Sequence, residues 1–437
     1  MIDVIAVFDI GKTNKKIFLF GSDFLVVYKK SIRFQEKLDD DNFPCDDIEL
    51  IEYWMKSQIE AIQNEGVFKI KAINFSTHGA SLIYLDKKGK RITPLYNYLK
   101  PLDDFDFNNF YNKNGGKEEF SRKTGSPAYG MLNTGLQIYW LKKTKPHYWK
   151  RVSSIVHYPQ YLSFLFTNKT SADYTSVGAH TATWDFDKMQ YHSWLQRENI
   201  SLPEPSSGSI ASMHNINGET VAIGIGLHDS SSSIIPLLED NKTNREFILL
   251  STGTWIISMN PFSKETLTQF QLRNKCLCLM TPIKEQVKSS MQFLGHTHEV
   301  NALEISSYFG VEKRHYLKLT LNKQLCEKIF LKDDNIFFKE KITKDHKGDL
   351  KQLLNYSYYE QAYYQLIFEI SKLVHEGIKL ILDANNNLKD VFISGGFYKN
   401  AIFIHYLSLM MPDQEVQFSK GKNASALGAA LLMKNYL

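Results

Sequence analysis

The segment from Asp9 to Lys16 (DIGKTNKK) places a carboxylate directly before a glycine turn that is rich in hydroxyl, amide and ammonium groups. Glycine lets a phosphate approach the backbone N–H groups, and the neighbouring side chains can add further donors. The expected phosphate-binding residues are Gly11, Lys12, Thr13, Asn14 and Lys16. Asp9 is the candidate magnesium ligand, acting through water because Mg²⁺ keeps much of its hydration. An ordinary polar hairpin loop is the alternative interpretation.

A second small turn, Ser251 to Thr254 (STGT), carries three hydroxyl groups and a glycine between two apolar segments. By the same reasoning, Gly253 and Thr254 are candidate phosphate contacts. Taken alone, the turn is also typical of an ordinary strand connection. Together, the two turns indicate two loops that face each other across a cleft.

Asp229 follows a short apolar run and lies in the sequence Gly226 to Ser230 (GLHDS). An enzyme that transfers a phosphoryl group to an alcohol needs a carboxylate to accept the hydroxyl proton as the phosphoryl group arrives. Asp229 is therefore the candidate catalytic base. The alternative is a helix N-cap, a common role for Asp before a serine-rich helix start. The two roles are compatible, because a capping Asp can still face a cleft.

Gly395 and Gly396 lie between an apolar strand and a predicted helix, where two glycines would let a flat ligand approach the backbone. A simple tight turn is the alternative. The chain contains neither a GxGxxG dinucleotide loop nor a GxxxxGK[ST] phosphate loop. It also lacks the GxSxG elbow of serine hydrolases.

The segment from Gly295 to Glu299 (GHTHE) suggests a metal site, but His296 and His298 have no matching ligand pair, so we interpret it as a polar loop. Cys276 and Cys278 alternate in a strand-like run, again without a partner pair at zinc-site spacing. Four cysteines in a chain of 437 residues indicate a reducing compartment.

An α/β pattern must position these residues. Apolar periodicity predicts strands at 4–8, 17–20, 24–28, 72–76, 221–225, 246–250, 255–259 and 391–394, and helices at 48–65, 360–385, 400–411 and 424–433. The strand–turn–strand unit at residues 4–20 recurs at 246–259, which indicates two related halves. Their boundary is expected in the polar stretch 239–245, giving domains at 1–241 and 242–437.

Composition excludes several function classes. The net charge of +5 is spread along the chain rather than gathered into a basic stripe, so no nucleic acid is expected as a partner. No run of about 18 apolar residues occurs, and the N-terminus reads as a buried strand rather than a signal peptide, so we expect no membrane association. A cytoplasmic location follows as an expectation.

In this order and spacing, the turns at Asp9–Lys16, 77–79, Asp229, 253–254 and 395–396 resemble those of the FGGY family of carbohydrate kinases. The small-residue tail at 423–430 (NASALGAA) is similar to the closing helix of that family. The resemblance implies an α/β fold of two ribonuclease H-like (actin/hexokinase-type) domains. Each domain is a mixed β-sheet flanked by helices, and ATP and Mg²⁺ bind in the cleft between them.

The family's roles are carried over by position. The resemblance implies that Gly395, Gly396 and Asn400 bind adenosine, and that His78, Gly79, His228 and Asp229 contact the sugar. It implies a small-molecule sugar as the partner and allows a homodimer. The chain departs from the family at Phe397, where the adenosine turn usually has a third glycine, so the base is expected to be held differently. Residues 96–101 (YNYLKP) also lack the Trp, Asp and Arg that the family often uses to contact sugar hydroxyls.

The substrate is therefore open at this point. The His228–Asp229 pair resembles the turn of rhamnulose and fuculose kinases, which favours a 6-deoxyketose such as L-rhamnulose or L-fuculose. The alternatives are a kinase for xylulose, ribulose or another polyol, a catalytically silent sugar or nucleotide sensor, and an actin-like or chaperone ATPase. The presence of both Asp9 and Asp229 argues against the silent sensor.

Overall fold

Two mixed β-sheets form the centre of the computed structural model, which describes residues 1–102, 105–240, 245–338, 345–419 and 423–437. In chain order the strands are β1 (Ile2–Ile10), β2 (Lys15–Phe20), β3 (Val26–Ile32), β4 (Lys37–Leu38), β5 (Pro44–Cys45), β6 (Phe68–Thr77), β7 (Leu82–Leu85), β8 (Ser154–His157), β9 (Ala172–Asp173), β10 (Trp184–Asp185), β11 (Gln190–Tyr191), β12 (Pro205–Ser206), β13 (Ala211–Ile216), β14 (Glu219–Gly224), β15 (Leu227–His228), β16 (Glu246–Thr252), β17 (Ile256–Asn260), β18 (Cys276–Met280), β19 (Gln286–Gln292), β20 (Leu388–Gly395) and β21 (Glu415–Phe418).

Helices cover both sheets. They are α1 (Ile48–Glu65), α2 (Asn108–Lys113), α3 (Lys117–Lys123), α4 (Thr134–Thr144), α5 (Pro146–Trp149), α6 (Tyr158–Thr167), α7 (Tyr174–Val177), α8 (Trp194–Arg197), α9 (Asp229–Ser232), α10 (Ile235–Asp240), α11 (Gln269–Arg273), α12 (Leu294–Tyr308), α13 (Lys323–Lys332), α14 (Tyr359–Ile381), α15 (Ala401–Met410) and α16 (Ala424–Leu431). Across the described residues, no helix combines the length and apolar character needed to cross a membrane.

The two sheets share the arrangement of their central strands. The first has the order β13-β14-β6-β1-β2-β3, and the second has the order β18-β19-β17-β16-β20-β21. In the first sheet, β1 is antiparallel to β2 on one side and parallel to β6 on the other. In the second sheet, β16 is likewise antiparallel to β17 and parallel to β20. The predicted repeat of strand, turn and strand is therefore present as β1–β2 and β16–β17. The expected α/β fold of two ribonuclease H-like units is confirmed.

The central strands are buried on both faces, as their sequences predict. Residues 4–8 (VIAVF) of β1 are fully buried, because helices lie on each side of the sheet. Helix α1 begins where Asp47 accepts hydrogen bonds from the N–H groups of Glu49 and Leu50, and it ends at Gly66 in the left-handed conformation. The helix packs its apolar face against β1 and β6.

The last helix, α16, packs against the first sheet rather than the second. Its residues Ala426, Ala429 and Ala430 form one buried cluster with Ile5 and Val7 of β1. Small side chains allow this close approach. The chain thus returns to the first sheet after completing the second.

Two predictions need correction. The third strand was expected at 24–28 but runs from Val26 to Ile32, because Gly21 to Leu25 form the turn after β2. The segment from Gly295 to Glu299 is not a loop but the start of α12. It forms a helix because Leu294, Ala302 and Ile305 bury one face in the second core. His296 and His298 belong to no cluster of three metal-ligating groups within the described ranges.

The remaining elements lie close to their predicted positions, with the strands mostly extended by a few residues and the helix predicted at 360–385 ending at Ile381. The proposed division between residues 241 and 242 falls in 241–244, outside the described residues, and stays a prediction.

Candidate active site

Parallel strand pairing gathers the predicted site residues at one edge of each sheet. In the first sheet, Asp9 of β1 is in register with Ser76 of β6, and His228 of β15 with Thr77. In the second sheet, Thr252 of β16 is in register with Gly395 of β20. Because the carboxyl ends of parallel strands meet at the same edge, residues far apart in the sequence become neighbours there.

The loop at Asp9–Lys16, where phosphate binding is predicted, is closed by its own backbone and by a buried lysine. The N–H of Gly11 donates to the carbonyl of Asn14 at 3.0 Å. Lys15 Nζ donates to the carbonyls of Gly11 (3.1 Å) and Lys12 (2.8 Å) and to Asp46 Oδ1 (3.0 Å). Lys15 was not predicted as a site residue. Its position in strand β2, two residues before buried Ile17, was the signal, because alternate residues share a face.

The other predicted side chains of this loop bind elsewhere in the protein. Lys12 pairs with Glu36, and the Oδ1 atom of Asn14 accepts from Arg33 Nε at 2.7 Å. Their assignment to phosphate stays a prediction.

Asp9 lies at the centre of this edge and is almost completely buried. Its Oδ2 accepts from Lys16 Nζ at 3.1 Å, and its Oδ1 accepts from Ser425 Oγ of α16 at 3.2 Å. Burial raises the pKa of Asp9; the Lys16 charge opposes the shift, and nearby Asp229 adds to it. A carboxylate has about four acceptor positions, so each oxygen can still accept from a metal-bound water. The residues present therefore fit Mg²⁺ held through water.

Asp229 opens helix α9, with His228 in the N-cap position. Its Oδ1 accepts from the N–H of Ser230 at 2.6 Å and lies 3.4 Å from His228 Nε2. Its Oδ2 has no hydrogen-bond partner among the described residues. Burial raises the pKa of Asp229, opposed mainly by neighbouring His78. One oxygen of the carboxylate is thus oriented by the backbone, and the other is available to a substrate.

Neutral histidines surround Asp229. Burial lowers the pKa of His228 to about 3, with a contribution from His78, and lowers the pKa of His180 to about 4, with a contribution from His228. A Cβ on Gly79 would lie 3.0 Å from the His228 ring, so glycine at this position leaves room for that ring. The N–H of His228 donates to Thr175 Oγ1 at 2.9 Å, which fixes the backbone just before the candidate base.

His78 connects this group to a second carboxylate. Its Nε2 lies 3.8 Å from Asp46 Oδ2, which is longer than a hydrogen bond, and has no hydrogen-bond partner in the described part of the chain. Its ring packs against Tyr98, at 5.6 Å between centroids. Burial opposes ionisation of Asp46, but the His78 ring and the charges of Lys15 and Lys12 outweigh it and lower its pKa to about 2.

Asp46 and Tyr98 were not predicted. Asp46 follows the short strand β5 and belongs to no recognisable motif, whereas Tyr98 lies in residues 96–101, which lack the Trp, Asp and Arg of the family. Burial raises the pKa of Tyr98, and the charges of Asp229 and Asp46 add to the shift. Its hydroxyl therefore lies within the electrostatic reach of both carboxylates.

Two cavities adjoin these residues. One, of about 880 Å³, is lined from both halves of the chain, by residues that include Asp229, Ser425, Gly395 and Tyr398. The other, of about 470 Å³, brings together the predicted residues Gly253, Thr254, Gly396 and Asn400.

Glycine is required at position 395, which separates the two cavities. Gly395 has a φ of 88°, and a Cβ there would lie 2.2 Å from the carbonyl oxygen of Thr252. The side chain of Asn400 caps helix α15 through its Oδ1 atom, so only its Nδ2 remains free of the helix.

Sequence comparisons agree with this arrangement. The N-terminal domain of the FGGY family of carbohydrate kinases matches residues 4–236, more than half of the chain. The rhamnulokinase of Halalkalibacterium halodurans is 26% identical over 258 residues, covering 56% of this chain and 54% of that protein. The rhamnulokinase of Oceanobacillus iheyensis is 26% identical over 235 residues, covering 51% and 48%. The chain spans about half the length of the curated relatives it matches.

Solved structures show the same fold over the whole chain. A carbohydrate kinase from Novosphingobium aromaticivorans superposes with a TM-score of 0.81 at 18% identity, covering 100% of this chain and 92% of that one. A gluconate kinase from Lactobacillus acidophilus has a TM-score of 0.79 at 15% identity, covering 100% and 89%. A xylulose kinase from the same organism has a TM-score of 0.77 at 15% identity, covering 99% and 89%. From the strand order and the match over residues 4–236, the chain belongs to the FGGY family of carbohydrate kinases.

Proposed function

We propose that this protein transfers the γ-phosphoryl group of ATP to a hydroxyl of a small sugar, with Asp229 as the catalytic base. The observation that carries the proposal is the state of the Asp229 carboxylate. One oxygen is held by the N–H of Ser230, while the other is unpaired in the described structure, and Asp229 lines a cavity formed from both halves of the chain. A base for an alcohol needs this combination of orientation and access.

The step is a proton transfer coupled to phosphoryl transfer. Asp229 Oδ2 accepts the hydroxyl proton of the sugar as its oxygen forms the new O–P bond and the bond between the γ-phosphorus and the ADP oxygen breaks. Burial makes Asp229 more basic than an exposed aspartate, which favours its taking the proton. Burial lowers the pKa of His228 to about 3 and that of His180 to about 4, and the main group that opposes the rise in the pKa of Asp229 is His78.

ATP and Mg²⁺ fit the residues around this carboxylate. The cradles at Gly11 and Gly395 offer backbone that a side chain would block, and Asp9 can accept from the water shell of a magnesium ion. When bound, Mg·ATP supplies the phosphoryl group. Lys16 neutralises part of the Asp9 charge, so a metal-bound phosphate meets less repulsion at this edge.

The sugar is proposed to be a ketose, with L-rhamnulose as the first candidate. The two relatives described above are rhamnulokinases, and the His228–Asp229 pair led to the same class from the sequence. His78 and Tyr98 pack together within electrostatic reach of Asp229, and these polar groups are suited to sugar hydroxyls. L-Fuculose, xylulose, ribulose and gluconate are the competitors. We also expect a cytoplasmic location, where ATP is abundant. Light scattering would test whether the protein forms a homodimer.

The test is ADP release from Mg·ATP in the presence of each of these sugars and of glycerol. We expect a sugar-dependent rate that falls by about 10² to 10⁴ in Asp229→Asn, the usual contribution of a positioned base. Asp413→Asn, at an exposed position, is the matched control and should retain the rate. Sugar-dependent turnover that survives in Asp229→Asn would exclude this residue as the base. ATP binding without turnover on any sugar would favour a silent sensor.

A further inference from the structure

A hydrogen-bonded chain of three side chains lies at the 470 Å³ cavity, and two of them, His298 and Asn400, line it. Asn400 Nδ2 donates to the hydroxyl of Tyr363 at 3.0 Å, and that hydroxyl lies 3.0 Å from His298 Nε2. The orientation of the Asn400 amide is fixed, because its Oδ1 accepts from the N–H groups of Ile402 (3.1 Å) and Phe403 (3.2 Å) at the start of α15.

This chain determines which nitrogen of His298 carries the proton. The Tyr363 hydroxyl is buried, and its oxygen already accepts from Asn400. A buried hydroxyl needs an acceptor for its own proton, and His298 Nε2 is the acceptor within reach. Nε2 is therefore unprotonated. Burial lowers the pKa of His298 to about 4, so the neutral ring carries its single proton on Nδ1.

The Nδ1–H group is left for a ligand. His298 is only 5% exposed, and it lines the cavity. Within the described residues, Nδ1 has no hydrogen-bond partner, and it is not among the side-chain nitrogens that are fully closed off from solvent. A nearly buried ring thus presents one donor of fixed tautomer to an enclosed space.

The walls of the cavity suit a flat heteroaromatic ring. The rings of Phe397 and Tyr316 each lie with their centroids 5.0 Å from that of His298, and Leu317 and Leu319 add apolar surface. The volume lies in the range of small-molecule sites, which are mostly apolar with a few placed polar groups. Phe397 stands where a third glycine was expected, so an aromatic wall replaces open backbone. Gly253 and Thr254 line the same cavity.

We propose that His298 determines nucleotide specificity by donating its Nδ1–H to an unprotonated ring nitrogen of the purine base, with Tyr363 and Asn400 as positioning residues that fix its tautomer. The inference rests on the proposed function, because ATP is the nucleotide in question. It goes further by naming the side chain that recognises the base and the hydrogen bond by which it does so.

The first experiment measures nucleotide binding without catalysis, by titration calorimetry with ATP and with its 1-deaza, 3-deaza and 7-deaza analogues. Each analogue replaces one ring nitrogen by C–H and so removes one acceptor. We expect one analogue to bind the wild-type protein about tenfold more weakly than ATP, as for loss of one buried hydrogen bond. In His298→Gln that difference should vanish, because the glutamine amide can replace Nε2 but not Nδ1.

His298→Asn is the matched variant, because its amide nitrogen lies close to the position of Nδ1. It should restore both tight ATP binding and selectivity against the same analogue. If His298 had only a structural role, its substitution would weaken the binding of all four nucleotides to the same extent, and His298→Asn would not restore selectivity. The inference would be overturned if the ratio of the ATP affinity to the affinity for each analogue were the same in wild-type protein and in His298→Gln.

A second measurement does not depend on a substitution at His298 itself. In protein labelled with ¹⁵N-histidine, the His298 ring should show the Nδ1–H tautomer, and Tyr363→Phe should shift it toward Nε2–H. The Nε2–H tautomer in wild-type protein would overturn the inference. Failure of the proposed function alone would look different, since ATP would bind with the expected analogue pattern while no sugar stimulated ADP release.

Discussion

Gly295→Ala is expected to disable nucleotide use although Gly295 belongs to none of the predicted phosphate turns. Gly295 lies in the first turn of α12, which packs against the turn at 251–254, the second predicted phosphate turn. A Cβ at this position would lie 1.9 Å from the carbonyl oxygen of Gly253 and 2.9 Å from that of Thr254. Both obstacles are backbone atoms, so no side-chain rotation can relieve the overlap.

The size of the effect follows from these distances. Ordinary contact begins near 3.4 Å, so the helix and the loop must separate by about 1.5 Å, more than a well-packed interior absorbs without cost. Overpacking of this kind typically costs about 1–3 kcal/mol of stability. A displacement of about 1 Å in a positioning element can reduce a rate about 100-fold. We therefore expect kcat/KM for Mg·ATP to fall about 100-fold, with a modest drop in Tm.

The assay is ADP release at varied Mg·ATP and saturating sugar, together with a thermal unfolding curve. Gly396→Ala is the control for stability, because a Cβ there would meet its nearest neighbour at 3.6 Å and should leave Tm unchanged. If Gly295→Ala retained the wild-type kcat/KM for Mg·ATP, either the second turn would not contact the nucleotide or the packing of α12 would not position it. At least one of these two steps of the reasoning would then be refuted.

Three further predictions concern titration. The pKa of Asp46 is about 2 in the fold against 3.8 ordinarily, so its charge contributes about 2 kcal/mol at pH 7. This contribution to stability is complete well above pH 3.8 and is lost as the pH falls through 2. At pH 7, Asp46→Asn should therefore unfold at a lower urea concentration than the wild-type protein, and the difference between the two should shrink toward pH 2. Burial, with His228 nearby, lowers the pKa of His157 from 6.5 to about 4. Stability should therefore be full above pH 6.5 and be lost as the pH falls toward 4, and His157→Gln should flatten that part of the Tm–pH curve. Since burial raises the pKa of Asp229, the acid limb of kcat/KM should report a pKa above 3.8, and a limb at or below 3.8 would contradict its role as the base.

The elements that the sequence predicted well are those whose pattern reflects burial alone. Strands β1 and β16 are short apolar runs between polar turns, and a strand with helices on both faces has that composition in any context. The polar residues at their ends, Asp9 and the turn at 251–254, were chosen as candidates because ligands in α/β folds bind at the carboxyl ends of strands.

The start of α12 was mispredicted because no local signal marks it. Its N-cap is Phe293, which makes no side-chain capping bond, and the first turn is polar. The helix is stabilised by contacts with α14, which lies more than fifty residues further along the chain. The same cause hid His298, whose role depends on Tyr363 of α14 and Asn400 of α15.

The last helix, α16, links the candidate base to the candidate magnesium ligand. Ser425 of α16 donates to Asp9, and Ser232 Oγ of α9 donates to the carbonyl of Ser425 at 2.7 Å. A Cβ on Gly428 would lie 2.0 Å from the carbonyl of Ser232, so α16 and α9 touch through their backbones. Asp229 begins the helix that ends at Ser232. The small-residue tail, which resembles the closing helix of the family, therefore connects the candidate base to the candidate magnesium ligand. A larger residue at Gly428 would push α9 away from α16 and so change the distance between the two carboxylates.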